Sequence, residues 1–406
     1  MRILYVQDTD WIRRNPIHHT HLSERLSLRG HEIRAIDYEI LWRSESKGEF
    51  LSKRRVIDVA RVVDGAKVTV IRPGILKVPV LDYVSMVFTY GPEIHKQVSQ
   101  FRPDVVIGND ILTTIMAWKA ARSRNIPVVF FALDIEYKLV PFGFLQPLAK
   151  LIEKHNIRTA DIVIAINEKL REYTIAMGAK PDKTLVLKTG FDPQKFDPNT
   201  DGTEIRNKYG IAPTDIVLLF VGWLYDFSGL KEVALEIAKR SDGRVKFLVV
   251  GDGDAYAEMC RIRDSGLGDR VIVTGRQPYE TVCKFIAASD VCLLPAHNNE
   301  IMRDIVPIKM YDYMAMKKPV VATRLPGLVK EFGQDNGVVY VDRPEDAVAT
   351  AVGIAESGVG VSLGRKSREF VETHNWDAVT DEFERILEHV VRAKKEGNAA
   401  VTPADK

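Results

Sequence analysis

Short runs rich in Val, Ile and Leu, each followed by an amphipathic stretch, recur in two separate series along the chain. Few architectures fit such an alternation; parallel strands joined by crossover helices do. In the first series Arg2 to Gln7 reads as a buried strand, His18 to Arg29 as a helix stopped by Gly30, and His31 to Asp37 as the next strand. Val56 to Val63, Lys67 to Arg72, Asp104 to Ile107, Val128 to Ala132 and Ile162 to Ile166 continue it. The second series has strands at Ile216 to Val221, Lys246 to Val250, Val271 to Thr274, Val291 to Leu294, Pro319 to Ala322 and Val338 to Val341. Its helices are expected near Gly229 to Arg240, Ala255 to Ser265, Tyr279 to Ala288 and Pro307 to Met316. The expected fold class is α/β, with two doubly wound domains, and 406 residues suffice for both at roughly 150 residues each.

Between the series, residues 188–202 are rich in Gly, Pro, Asp and Thr, a connector composition. The expected organisation is a domain over 1–188, a second over 189–365, an amphipathic helix over 366–395 interrupted near His374, and a disordered polar tail over 396–406. Cys260, Cys283 and Cys292 form no Cys-x-x-Cys pair and no even framework, which argues against a disulfide scaffold and for a reducing, cytoplasmic setting. Met1 to Val6 runs into Asp8 and Asp10 without the apolar core of a secretion signal. Net charge is only +2, but residues 1–190 hold 29 basic and 21 acidic residues (+8) and residues 191–406 hold 28 and 34 (−6). The basic half suits phosphate-bearing ligands or an anionic leaflet, or is an ordinary solvated face; nucleic acid is not an expected partner.

Ligands of open parallel sheets sit beyond the carboxyl ends of the strands, and two such domains would share a groove. The loops after the second series' strands therefore come first: Gly222-Trp223, Gly251-Asp252-Gly253, Gly275-Arg276 and Pro295-Ala296-His297. A strand-end glycine lets the chain turn sharply and bares the N–H groups of the next helix, a setting for phosphate. Asp304 and Asp312, with Lys309 between them, bracket the start of a helix expected at Pro307. Two acceptors so spaced could hold two hydroxyl-bearing parts of one ligand, with the lysine as a mobile charge for phosphate; an Asp–Lys capping pattern reads equally well.

The segment from Asp304 to Thr323, with its two carboxylates, Met-Ala pair and Lys-Pro-Val-Val-Ala-Thr, resembles the signature helix of the retaining glycosyltransferases of the GT-B fold, family four. Leu28-Arg-Gly-His-Glu-Ile, Arg102-Pro-Asp-Val-Val-Ile, Ala160 to Asn167, Val249-Val-Gly-Asp-Gly, Ala288 to Pro295 and Trp376-Asp extend the resemblance over most of the chain. It implies two Rossmann-like domains facing across a cleft, an acceptor-binding one first and a nucleotide-sugar-binding one second, with a last helix returning to the first. It also implies hexosyl or N-acetylhexosaminyl transfer from a UDP- or GDP-sugar with retention, without an obligatory cofactor or metal. In that reading Asp304, or Glu300 in its stead, touches the donor sugar and Asp312 the ribose. Gly222, Trp223, Gly251, Asp252 and Gly275 line the donor site, and Arg276 and Lys309 meet the leaving diphosphate.

The sequence departs from the family's pattern at Trp223 and Ser228, where Arg and Lys usually grip the diphosphate. In the first domain His18 and His19 stand near a missing Gly-Gly turn, as donors to phosphate or simple caps. Asp134 offers an acceptor-side carboxylate or caps the next helix. Tyr137 to Leu148 and Val78 to Tyr90 are apolar and aromatic within the basic half, as an interfacial patch for a lipid-linked acceptor at a membrane or as core. A glycan acceptor, a non-catalytic nucleotide-sugar-binding subunit and an epimerase of the same architecture remain open.

Overall fold

The computed structural model describes residues 1–14, 16–40, 42 and 49–397. It divides into two compact units, Met1–Lys188 with Trp376–Lys406, and Thr189–Asn375. The tail expected over 396–406 lies almost wholly outside the described residues.

The first unit is built on an eight-stranded sheet of order β3-β4-β2-β1-β5-β6-β7-β8. Its strands are β1 (Arg2–Val6), β2 (Glu32–Ile36), β3 (Arg55–Val59), β4 (Val68–Arg72), β5 (Val105–Gly108), β6 (Val128–Ala132), β7 (Ile162–Ala165) and β8 (Thr184–Val186). All neighbours run parallel except β3 against β4. The central strands are apolar at every position because helices cover both faces. These helices are α1 (His18–Leu28), α2 (Leu81–Gln100), α3 (Leu112–Arg122), α4 (Gln146–Thr159) and α5 (Glu168–Ala176). β3 is an exposed edge and stops at Val59, short of the expected Val63. The cause is distant in sequence: the buried Glu24 carboxylate accepts the N–H groups of Arg61, Val62 and Val63 at 2.7, 2.7 and 2.9 Å, taking them out of the sheet. Glu24→Ala orphans all three donors and should cost about 2–3 kcal/mol in urea unfolding.

The second unit has a six-stranded, all-parallel sheet of order β11-β10-β9-β12-β13-β14. The strands are β9 (Ile216–Val221), β10 (Val245–Val250), β11 (Val271–Val273), β12 (Val291–Leu294), β13 (Val320–Thr323) and β14 (Val338–Val341). Its helices are α6 (Thr203–Lys208), α7 (Leu230–Lys239), α8 (Tyr256–Ile262), α9 (Val282–Ala288), α10 (Lys309–Ala315), α11 (Pro326–Phe332), α12 (Asp346–Ser357) and α13 (Gly360–Val371).

The amphipathic stretch expected as one helix over 366–395 is two. α13 stays with the second unit, where Arg368 donates to the Ala315 carbonyl at 2.9 Å. α14 (Trp376–Lys395) belongs to the first unit and lies along α1. Arg25 pairs with Asp377 at 3.1 Å, Arg29 with Asp381 and Glu384 at 2.7 Å, and Trp376 stacks on His21 with centroids 4.4 Å apart. No single helix among the described residues is long and apolar enough to cross a membrane.

Candidate functional site

In a doubly wound sheet the chain leaves two adjacent strands in opposite directions at one point, and a crevice opens there at the carboxyl edge. In the second unit that point lies between β9 and β12. β9 is followed by Gly222, β10 by Gly251 and β11, after Thr274, by Gly275, with φ of 135°, 144° and 70°. Gly222 N–H donates to the Val250 carbonyl at 2.9 Å and Gly251 N–H to the Gly275 carbonyl at 3.0 Å, so the three strand ends are stitched into one floor. A Cβ on Gly251 would stand 1.9 Å from the Gly222 carbonyl oxygen. Gly251→Ala should therefore separate these turns and lower stability by about 1–3 kcal/mol in urea unfolding.

Lys309 opens α10 beside this floor. Its ammonium lies 3.9 Å from the centre of the Phe220 ring, and 2.6 Å from the place a Cβ on Gly222 would take. Among the described residues no carboxylate pairs with it, and burial alone pushes its pKa down from 10.5 to about 7. The helix begins at Lys309, two residues later than the expected Pro307, although the Pro307 carbonyl already accepts from Met310 at 3.1 Å. Asp312, one turn on, is buried, and both burial and the neighbouring Asp192 charge push its carboxyl well above the usual range. Asp192, in the connector, was not among the residues expected from sequence; its Oδ1 accepts from the N–H groups of Gln194 and Lys195 at 3.1 and 3.2 Å.

Asp304 ends a 3-10 turn, Met302–Asp304, with Arg303 Nε 3.5 Å from its Oδ2. That turn rests on the start of α11: a Cβ on Gly327 would meet the Asp304 carbonyl carbon at 2.7 Å. Glu300 and Arg276 are exposed, in the loops after β12 and β11. Asp252 Oδ1 accepts the Gly253 N–H at 2.8 Å and Trp223 Nε1 donates to Asp254 Oδ2 at 3.4 Å. Ser228, at the position expected to hold a lysine, is buried and its Oγ accepts the Tyr225 N–H at 3.2 Å. Sequence reasoning singled out Trp223 alone, but Trp223, Tyr225 and Phe227 alternate along the loop, with the Tyr225 and Phe227 rings stacked at 4.8 Å. The signal was present in sequence as three aromatics at every second position, though the chain enters a 3-10 turn at Asp226.

In the first unit the corresponding point lies between β1 and β5. Carboxylates gather at this edge: burial pushes Asp134 up to about 6, with Arg14 opposing, and raises Glu136 further with help from Asp134 and Asp8. Asp110, raised by burial and Asp8, accepts the Thr114 N–H at 3.0 Å. Asp134 does not cap the following turn, which starts at Glu136 without a side-chain cap. The expectation for His18 and His19 as phosphate donors is corrected. Both are 2% exposed, packed among Tyr5, Trp11, Phe131 and Trp376, and burial pushes each down to about 3, so neither carries charge at neutral pH.

Residues 18–190 match the family model described as glycosyl transferase 4-like domain, and residues 215–356 the model described as glycosyl transferases group 1. Among similar curated proteins, N-acetyl-alpha-D-glucosaminyl L-malate synthase of Bacillus anthracis is 23% identical over 263 residues, 62% of this chain and 66% of that one. Alpha-D-kanosaminyltransferase of Streptomyces kanamyceticus is 28% identical over 193 residues, 46% and 48% of the two chains. The matches thus span from about half to just under two thirds of these relatives. Among solved structures, Anabaena HepE in complex with UDP superposes with TM-score 0.71 at 15% identity, over 96% of this chain and 100% of that one. Sucrose-phosphate synthase from Thermosynechococcus elongatus gives 0.72 at 18%, over 97% and 100%. The chain thus has the GT-B fold and carries a glycosyl transferase 4-like domain followed by a glycosyl transferases group 1 domain, the make-up of a glycosyltransferase.

Proposed function

We propose that the protein transfers a glycosyl group from a nucleoside-diphosphate sugar to an acceptor hydroxyl, with retention at the anomeric carbon. The observation that carries this is Lys309: an ammonium that no carboxylate among the described residues pairs with, seated on Phe220 at the point of the second sheet where ligands collect. As the glycosidic bond to the diphosphate breaks, positive charge grows on the sugar and negative charge on the leaving oxygen. A cation fixed in advance in a partly dry site opposes that charge without reorganising. Arg276, exposed in the loop after β11, adds to it. Asp304, released from Arg303, accepts hydroxyls of the sugar, with Glu300 nearby in sequence as a second acceptor. Asp312 serves the ribose, its carboxyl raised above the usual range by burial and by the Asp192 charge. Trp223 and Ser228 stand where the family pattern would put a cationic grip, which leaves the diphosphate charge to Lys309 and Arg276.

The first unit supplies the acceptor side, a sugar or lipid-linked hydroxyl. Asp134, with its carboxyl pushed up to about 6, is the group there poised to receive a proton near neutrality. Three free cysteines and a nucleotide-sugar donor suit a cytoplasmic site of action.

The test is calorimetry with UDP, GDP, ADP and dTDP, followed by hydrolysis and transfer assays on the sugars of whichever binds, with the product anomer read by NMR. One nucleotide should bind and its sugar should turn over. Binding without turnover would turn the reading toward a non-catalytic subunit, turnover of donor into an isomeric donor toward an epimerase, and no binding would end it. Asp304→Asn should lower kcat/KM for the sugar donor by about ten- to a hundredfold while leaving nucleoside diphosphate affinity within about twofold, since its partner is the sugar.

A further inference from the structure

We propose that the segment from Lys138 to Arg158 docks the protein on an anionic phospholipid surface, independently of the reading of the second unit. After β6 the chain makes two short 3-10 turns, Glu136–Leu139 and Gly143–Leu145, and enters α4. Asn156 fixes the height of that helix: its Nδ2 donates to the Asp110 and Ile111 carbonyls at 3.3 and 2.9 Å, just past the end of β5. Leu148, eight residues earlier, is therefore about 12 Å farther along the helix axis, so the first turns of α4 project beyond the strand ends.

What projects is apolar and bare. Phe144, Leu148 and Leu151 are 74%, 57% and 66% exposed, Leu139 joins them, and the Phe142 ring lies 6.0 Å from that of Phe144. Single exposed leucines are ordinary, but large side chains massed on one protrusion are not. α2 follows the parallel strand β4 in the same way and therefore begins at the same end of the sheet. It exposes Leu81, Val84 and Phe88, at one-helix-face spacing.

Charge decides what covers this face. Lys150, Lys154 and Arg158 are exposed on α4, Lys138 is half-buried in the preceding turn, and the lone acid from 137 to 158, Glu153, is buried. Glu153 is also occupied, accepting from Tyr137 N–H and from the Tyr173 hydroxyl, both at 2.9 Å. A protein partner would meet a surface with aromatic wedges and cations but no exposed carboxylate to pair its own basic residues. A bilayer accepts both features at once: the phenylalanine and leucines enter at headgroup depth while the lysines stay with lipid phosphates.

The test is flotation of the full chain with vesicles of phosphatidylglycerol and phosphatidylcholine in equal parts, beside vesicles of phosphatidylcholine alone. The protein should float with the first and stay behind with the second. Phe144→Ser with Leu148→Ser and Leu151→Ser should weaken binding at least about tenfold without changing the thermal melt, because these side chains hold nothing in the fold. Lys138→Glu with Lys150→Glu and Lys154→Glu should abolish it. Arg102 and Arg124, with Arg2 and Lys395, form a second cationic patch at the opposite end of the sheet, around a cavity of about 500 Å³. Arg102→Glu with Arg124→Glu should leave flotation as it was. A Trp at position 144 (Phe144→Trp) should shift its emission to the blue on adding anionic vesicles. Absence of flotation overturns the proposal, as does flotation that survives the serine triple variant or is lost with the Arg102 and Arg124 pair. So does a dimer in sedimentation that the serine variant dissolves, which would make the face a contact between copies of the chain.

Discussion

Replacing Lys309 by Met should reduce turnover of the sugar donor by about a hundred- to a thousandfold, the cost of removing one preorganised group that meets transition-state charge. Folding should not suffer. The ammonium has no carboxylate partner to lose among the described residues, and burial already works against its charge. The pH dependence gives the sharper signature. With a folded pKa of about 7 against 10.5 in the unfolded chain, the native state binds fewer protons between those values, so this residue makes stability rise with pH across that window. The penalty is fully present below about pH 7, fades as pH rises through that window and is gone above the unfolded value. The same arithmetic governs ligand binding. A diphosphate favours the charged lysine, so binding at about pH 8 should draw a proton from the buffer, and affinity should fall as pH rises from about 6 to 9. Calorimetry in two buffers of different ionisation heat reads the proton directly. In Lys309→Met both the uptake and the slope should vanish; if they persist, the diphosphate does not sit on Lys309.

The second large effect is on stability. Arg72, at the end of β4, is nearly fully buried, donating through Nη2 to Asp10 at 2.8 Å and through Nε to Asp37 at 3.0 Å. Asp37 also accepts the Trp11 N–H at 3.0 Å, and its backbone carbonyl accepts the Tyr90 hydroxyl at 2.8 Å. Burial pushes Asp37 up to about 6 even with the guanidinium beside it. Arg72→Met strands two buried carboxylates and should cost about 3–5 kcal/mol in urea unfolding of the first unit. Without the cation, the Asp37 carboxyl loses what holds it down and rises further in the native state, so the loss should be smaller at about pH 5 than at pH 8. A triple variant with Arg72→Met, Asp10→Asn and Asp37→Asn should recover part of the loss, since no charge is then left unpaired. Equal destabilisation at both pH values would show that packing, rather than charge, is what Arg72 supplies.

The strands were legible because both sheets are covered on both faces. Val128 to Ala132 or Ile216 to Val221 can only be the inside of a parallel sheet, and their observed limits match the apolar runs. The strand-end glycines were legible for a similar reason, since the turns after β9, β10 and β11 all take positive φ. What failed to show depends on contacts between distant residues. Nothing near Val63 says that Glu24 will claim its N–H. Nothing near His18 says that the helix starting at Trp376 will roof it over, so a polar helix start read as a surface. Lys309 was marked by its place between two aspartates, but its seat on Phe220 comes only from how α10 packs on β9. The break after Val371 was visible at His374, yet which half of the amphipathic stretch joins which unit is decided by Arg368 on one side and Asp377 on the other.

That last division bears on how the protein is made. The first unit opens the chain but needs residues from 376 onward to close it, while Thr189–Asn375 is complete in itself. On the ribosome the later-born unit therefore finishes first. Until α14 emerges, the aromatic wall that Trp376 and Phe383 will cover, His21 and Phe131 among it, stays wet in a half-built domain. A chain stopped at residue 375 should yield one sound domain and one that clings to chaperones.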